Sequence, residues 1–184
     1  MNHTKCNYSC FNKDEAGKAT QSVALNFGRE ELLYDIKNYA FVTADIMPTE
    51  DEHQKHQVFD VGEEGNADLA TRLLNLAHVE CVESLYPYTK TPCIQDETLD
   101  DKLVAPSQYE ITLSVPSQFS RTTVLLLREL IHDYFVCRVL MEWLGTTYPS
   151  AQPFWKERLE QITARLRRAL LGRRKPLRRG QSMF

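Results

Sequence analysis

RTTVLLLRELIHDYFVCRVLMEWLGTTYP, residues 121–149, is the longest and most apolar helical pattern in the chain. Ser120 stands where a helix N-cap belongs, and Gly145 and Pro149 supply stop signals. Leu126, Leu130, Cys137, Met141 and Leu144 fall on one face, yet apolar residues also spread well round the circumference. A surface helix keeps a polar face, whereas a helix apolar on several sides is surrounded by other elements. The stretch therefore reads as a central, buried helix over about 120–144, with the rest of the chain arranged around it.

Three further helical patterns surround it in the sequence. In GREELLYDIKNYAFVTADIM, residues 28–47, Leu33, Ile36, Ala40, Ala44 and Met47 recur at helical spacing. Glu30 and Glu31 sit where the helix dipole favours acids, and Pro48 ends the pattern, so a helix is predicted over 29–46. In residues 66–88, Asn66 is a fair N-cap, Leu69, Leu73, Leu76, Ala77, Glu80 and Cys81 trace the helical rows with Leu85 beyond, and Pro87 closes the pattern. In QPFWKERLEQITARLRRALL, residues 152–171, the stripe is Trp155, Leu159, Ile162, Leu166, Ala169 and Leu170. Pro153 suits its first turn and Gly172 its C-terminal exit.

Two segments alternate with period two instead. QYEITLSVP, residues 108–116, sets Tyr109, Ile111, Leu113 and Val115 against Glu110, Thr112 and Ser114, the mark of a half-buried strand. SVALNF, residues 22–27, carries Val23, Leu25 and Phe27 on one side and is its natural partner. Two strands are marginal by themselves and need helices beneath them. The spans 48–65, rich in acids, and 89–107, long and polar, read as loops. The fold class expected is mainly α: a four-helix, bundle-like domain over 22–171 with a small two-stranded antiparallel β element. A flexible arm over 1–21 precedes it and a basic tail over 172–184 follows.

Charge is divided along the chain. The whole carries net −3, but residues 151–184 hold ten Lys and Arg against Glu157 and Glu160, a local net of +8. The body before them is left at −11. Eight cations crowd into residues 165–179, including Arg165, Arg168, Arg173, Arg174, Lys175, Arg178 and Arg179. Arginine binds phosphate and carboxylate through two parallel hydrogen bonds. These seven residues are the expected docking element for an anionic partner, either an acidic protein surface or nucleic-acid phosphates.

Other chemistry is thinly supported. No run of 18 apolar residues exists, and no apolar leader follows Met1, so neither a membrane span nor a secretory signal is expected. Cys6, Cys10, Cys81, Cys93 and Cys137 are odd in number and imply no disulfide framework, which fits a reducing cytoplasm or a particle assembled there. His53 and His56 beside Glu50, Asp51 and Glu52 are metal-ligand types, but no third ligand follows at a typical spacing, and a solvated loop is the expectation. His3, Cys6 and Cys10 have a loose spacing with no second pair. His132 adjoins Asp133, but neighbours on a helix point about 100° apart, so a polar face is expected there, with Arg128 paired to His132 and Arg138 to Glu142. His78, Cys81 and Glu83 read as packing and solvation. Tyr86, Tyr88, Tyr148, Phe154 and Trp155 flank helix ends, where such residues either anchor interfaces or cover a core edge. The phosphate-loop, dinucleotide, zinc-protease and nucleophile-elbow motifs are absent from the sequence. No cofactor and no metal are expected.

The segments LLYDIKNYAFVTADIM (32–47), LYPYTKT (85–91) and LLRELIHDYFVCRVLMEWL (126–144) resemble an uncharacterised structural protein family of Bacteroidales phages and prophages. Such proteins are similar in size and helical make-up to head–tail connector proteins, the adaptor or neck components of tailed phages. The resemblance implies a non-enzymatic virion protein, assembled in the host bacterial cytoplasm. It implies a homo-oligomeric ring docked on the portal or neighbouring subunits, with 171–184 as the docking element. A nucleic-acid-binding accessory protein and a tail-completion protein are the alternatives.

Overall fold

A computed structural model describes residues 20–48, 52–63, 65–91, 100–117 and 119–171. The order of elements is β1 (Thr20–Gly28), α1 (Arg29–Asp45), α2 (Glu52–Phe59), α3 (Ala67–Ser84), β2 (Gln108–Pro116), α4 (Arg121–Thr147) and α5 (Gln152–Leu171). Single 3₁₀ turns follow α2 and precede α5. The architecture is helical with one two-stranded sheet, the class the periodicities predict.

The central helix is α4. Ser120 caps it, its hydroxyl oxygen accepting from the Thr123 amide at 3.2 Å. Tyr134, Phe135, Val136 and Cys137 are buried in succession, so every side of the helix is covered at mid-length. Leu126 is an exception to the predicted face: it is exposed, and Leu127 turns inward in its place. α1, α3 and α5 all pack on α4, and α2 touches its far end.

The sheet closes one side of this core. β1 and β2 run antiparallel over nine residues each, pairing Val23 with Leu113, Leu25 with Ile111 and Phe27 with Tyr109. The predicted alternation of β2 holds throughout, with Tyr109, Ile111, Leu113 and Val115 buried. Phe27 meets Phe135 of α4 edge-on at 5.4 Å, and Tyr109 lies 6.0 Å from the same ring. β2 is tied down on its other side by the Ser114 amide, which donates to the Tyr88 carbonyl at 2.7 Å. β1 begins at Thr20, so the arm expected over 1–21 gives up its last two residues to the strand. The rest of that arm lies outside the described residues.

Two expectations are corrected. The acidic loop 48–65 contains a helix, α2 over Glu52–Phe59, so the described residues hold five α-helices rather than four. α2 buries only Val58, whose carbonyl accepts the Trp143 indole N–H at 2.7 Å. Tertiary anchoring holds this short polar helix, since its own periodicity is too weak to announce it. The stripe of α3 is also turned by one position. Leu69 and Leu76 are exposed, while Ala70, Leu74, Ala77 and Cys81 face inward. Alanines on the buried side let α3 approach α4 closely, and that approach wins over the larger apolar area of the two leucines.

The long loop before β2 is partly fastened to α3. The Asn75 side chain donates to the Val104 carbonyl at 2.8 Å and accepts from the Tyr109 hydroxyl at 2.8 Å. α5 lies along α4 with Trp155, Ile162, Leu166 and Leu170 buried, as the stripe predicts. Its last turn is marked by the Tyr88 hydroxyl, which donates to the Leu170 carbonyl at 3.4 Å.

Candidate functional site

α1 and α4 leave an open, acidic groove between them. At its centre the His132 imidazole and the Asp35 carboxylate meet at 2.8 Å, both partly exposed. Three adjoining depressions share this pair. One, of about 430 Å³, adds Glu30, Glu31 and Tyr34. A second, of about 450 Å³, adds Asn26, Phe27, Arg128, Glu129 and Asp133. A third, of about 280 Å³, runs toward Asn38, Tyr39, Val42 and Val136. From Asp133 a further depression of about 280 Å³ continues to α5, lined by Phe154, Glu157, Arg158, Gln161, Ile162 and Arg165.

Helix periodicity explains the grouping. Glu31 and Asp35 are one turn apart on α1, as are Glu129 and Asp133 on α4, so each helix presents a row of carboxylates along the groove. Five carboxylates (Glu30, Glu31, Asp35, Glu129 and Asp133) face one guanidinium and one imidazole in the α1–α4 part. Arg128 is already engaged with Glu129. Asp35 is engaged with His132. Glu30, Glu31 and Asp133 form no hydrogen bond or ion pair among the described residues. At the other end, Arg158 lies over the Tyr39 ring at 5.3 Å and the Trp155 ring at 5.4 Å, clamping α5 to α1.

The opposite side of α4 carries a different arrangement. Arg138, 12% exposed, donates from Nε to Glu80 at 2.6 Å, from Nη2 to the same carboxylate at 3.1 Å, and from Nη1 to Glu142 at 2.6 Å. The Arg138–Glu142 pair is the one helical spacing predicts. Glu80 comes from α3, where the helical rows place it, but spacing gives no sign of its pairing with Arg138, 58 residues away. Burial and nearby negative charge act here together: desolvation, then Glu80 and Cys81, push the Tyr134 hydroxyl up to about 12. Desolvation likewise pushes the Cys81 thiol up to about 12, against a hydrogen bond with Ser84. Cys137 is raised to about 11, again by burial first. Both cysteines are protonated core residues, as expected.

The other candidates disperse. His132 finds neither Asp133 nor Arg128 but Asp35, 97 residues away in sequence, a contact that only the packing of α1 on α4 creates. Arg128 turns to its neighbour Glu129 instead. Such a pair resembles a general base with its orienting carboxylate. The side chains described around the groove include no serine, threonine or cysteine for it to activate. His53 and His56 lie exposed on α2, where His53 contacts Gln57 at 3.1 Å and His56 stacks on Phe59 at 4.7 Å. Among the described residues no group of three or more metal-ligating side chains comes together. His78 is fixed by the Glu110 carbonyl at 2.9 Å and packs on Tyr109. Of the aromatic residues at helix ends, Trp155 is buried, whereas Tyr86 and Phe154 are well exposed.

Arg165 and Arg168 are exposed on the last turns of α5. Arg173, Arg174, Lys175, Arg178 and Arg179 lie outside the described residues. The structure adds an apolar surface that sequence periodicity assigned to the core or overlooked. Tyr34, Phe41 and Val42 on α1 and Ile46 at its C-terminal cap are 66%, 60%, 56% and 73% exposed, and on α3 Leu69, Leu76 and Val79 join Tyr86 outside. No described helix is long and apolar enough to cross a membrane. Comparison with protein-family models, with curated proteins and with solved structures finds no match to the chain.

Proposed function

We propose that the chain is a non-enzymatic assembly subunit, and that its setting is the neck of a tailed-phage virion, docked on the portal or on neighbouring copies. The observation that carries the assembly reading is the exposed side of α1. Tyr34 and Val42 border the acidic groove there, while Phe41 and Ile46 stand exposed elsewhere along α1 and at its C-terminal cap. Large aromatic and aliphatic groups rimmed by charge are typical of surfaces that meet another protein. The virion setting rests on the resemblance of residues 32–47, 85–91 and 126–144. A tail-completion role would differ in the partner, not in the docking surfaces.

The test removes the basic tail. A chain ending at Leu171 keeps the apolar stripe of α5, because Trp155, Ile162, Leu166 and Leu170 all precede the cut. It should therefore fold, yet fail to form the rings or portal complexes that the full chain forms, as read by light scattering and electron microscopy. Unimpaired incorporation of the truncated chain into particles would count heavily against the reading.

One observation favours a second reading. Arg165, Arg167 and Arg168 are all exposed at the end of α5, and the sequence continues with five more cations. A nucleic-acid accessory protein would bind DNA through them, with affinity falling steeply as salt rises. Absence of DNA binding even at low salt ends that version.

A further inference from the structure

α3 turns Ala70, Leu74, Ala77 and Cys81 into the core. On the opposite side of the helix Leu69, Arg72, Leu76, Val79 and Glu83 are all exposed, and Tyr86 is exposed just past its end. Members of this row are alternately three and four residues apart, so it repeats every seven. Single exposed apolar residues need no explanation, but a set aligned along one line does. A seven-residue repeat is the seam by which two helices lie side by side. From Leu69 to Glu83 the seam is about 21 Å long, at 1.5 Å per residue. Val104, held to α3 by the Asn75 side chain, is exposed beside it and widens the apolar surface.

The placing of the two charges identifies the occupant. Arg72 and Glu83 are equally far from the midpoint between Leu76 and Val79, and so are Leu69 and Tyr86. A two-fold axis through that midpoint sets two copies of α3 antiparallel. Leu76 of each copy then meets Val79 of the other, Arg72 meets Glu83 at both ends, and Leu69 reaches toward Tyr86. Parallel copies would oppose Arg72 to Arg72 and Glu83 to Glu83, a repulsion that costs affinity. Antiparallel copies slid by one repeat would press Arg72 on Leu76, or Glu83 on Val79. One arrangement alone matches charge with charge and apolar with apolar, and such self-complementarity is what a two-fold interface requires. Arg72 also lies 3.7 Å from Asp101, a fully exposed loop carboxylate. A surface pair of that kind contributes little and leaves the guanidinium free to exchange partners.

We infer that two copies of this chain pair through the outer face of α3, antiparallel, about a two-fold axis between Leu76 and Val79. One helix face makes a small interface, so the pair is reversible, with a dissociation constant in the micromolar range. The contact is separate from the assembly reading. A two-fold interface closes at two copies, whereas a ring needs two different surfaces that meet head to tail.

Charge reversal tests both the surface and its direction. The full chain, followed by sedimentation velocity from micromolar to near-millimolar concentration, should pass from 21.3 kDa to twice that mass. Arg72→Glu sets acid against acid across the axis, and Glu83→Arg sets base against base; each should weaken pairing at least about tenfold. The double variant Arg72→Glu/Glu83→Arg restores opposite signs and should pair within about threefold of the parent. Both positions are exposed, so the urea midpoints of all the variants should stay close to the parent's. A chain that stays monomeric throughout overturns the inference and leaves the face to some other protein. Pairing that ignores the single reversals, or that the double variant fails to rescue, overturns it as well, by placing the contact elsewhere or in another direction. Sedimentation separates pairs from rings by mass. Rings indifferent to these variants, without pairs, remove the α3 contact and leave the assembly reading standing, and pairs without rings do the reverse.

Discussion

α4 carries two meetings of a basic side chain and a carboxylate six residues apart, and they do opposite things. Arg138 is closed in, held by two carboxylates from two helices through three hydrogen bonds. His132 lies open, with a single bond to Asp35 on the floor of a groove. The residue types are alike, and the difference is the surroundings. At Arg138, α3 brings Glu80 up against a core that includes Tyr134 and Cys81. At His132, α1 brings a carboxylate to a surface where Glu30 and Glu31 form no hydrogen bond or ion pair among the described residues. A charge cluster whose members satisfy one another stabilises the fold, whereas one with surplus charge is left to interact with something else.

The largest expected effect comes from breaking the closed cluster. Arg138→Met keeps the length of the side chain but leaves Glu80 and Glu142 facing each other without the cation between them. Loss of three charge-assisted hydrogen bonds, tempered by the partial exposure of both acids, should destabilise the fold by about 2–3 kcal/mol at pH 7. The urea midpoint reports it. A change smaller than about 1 kcal/mol, the range of exposed ion pairs, would erase the distinction between the two clusters.

Alkaline pH tests the buried protons on and around α4 differently. Cys81 is raised from 9.0 to about 12 and Cys137 from 9.0 to about 11, while Tyr109 and Tyr134 are raised from 10.0 to about 12. The folded chain therefore holds these protons above pH 9, where the unfolded chain releases them. Stability contributed by the protonated forms is complete below about pH 9 and declines as pH rises toward 12. Midpoints of thermal unfolding between pH 8 and 11 should fall with a slope that steepens above pH 9. In Cys81→Ala the slope should ease while the onset, still set by Cys137, stays near pH 9, after allowance for the cost of the substitution itself. A flat profile to pH 11 would contradict the burial of these groups.

What the sequence disclosed follows the same line between local and long-range causes. Alternation in 108–116 and the all-round apolar pattern of 121–144 are local, and both elements formed where the spacing put them. The Arg138–Glu142 pair is local as well. Glu80 and Asp35 were invisible as partners because each reaches α4 from another helix, 58 and 97 residues distant. α2 has eight residues and one buried side chain, so the Trp143 contact supplies what its own pattern lacks. On α3 the leucines at 69 and 76 suggested an inward face, but close helix packing selected the alanines. The groove itself was hidden for the same reason, since two acidic rows from separate helices become one feature only when the helices lie together.

The smallest effect should come from the open pair. Asp35→Asn keeps the shape and one hydrogen-bond acceptor while removing the charge, and His132→Gln removes the imidazole. With Asp35 41% and His132 25% exposed, water screens their attraction, and a double-mutant cycle should give a coupling below about 1 kcal/mol. The single variants should unfold close to the parent midpoint. Their effect belongs instead to the groove's charge: Asp35→Asn removes one of its five carboxylates without changing stability. A coupling energy above about 2 kcal/mol would place this pair with Arg138 as a structural clasp. The groove would then owe its His–Asp contact to folding, and the carboxylates around it would have to account for any binding without its help.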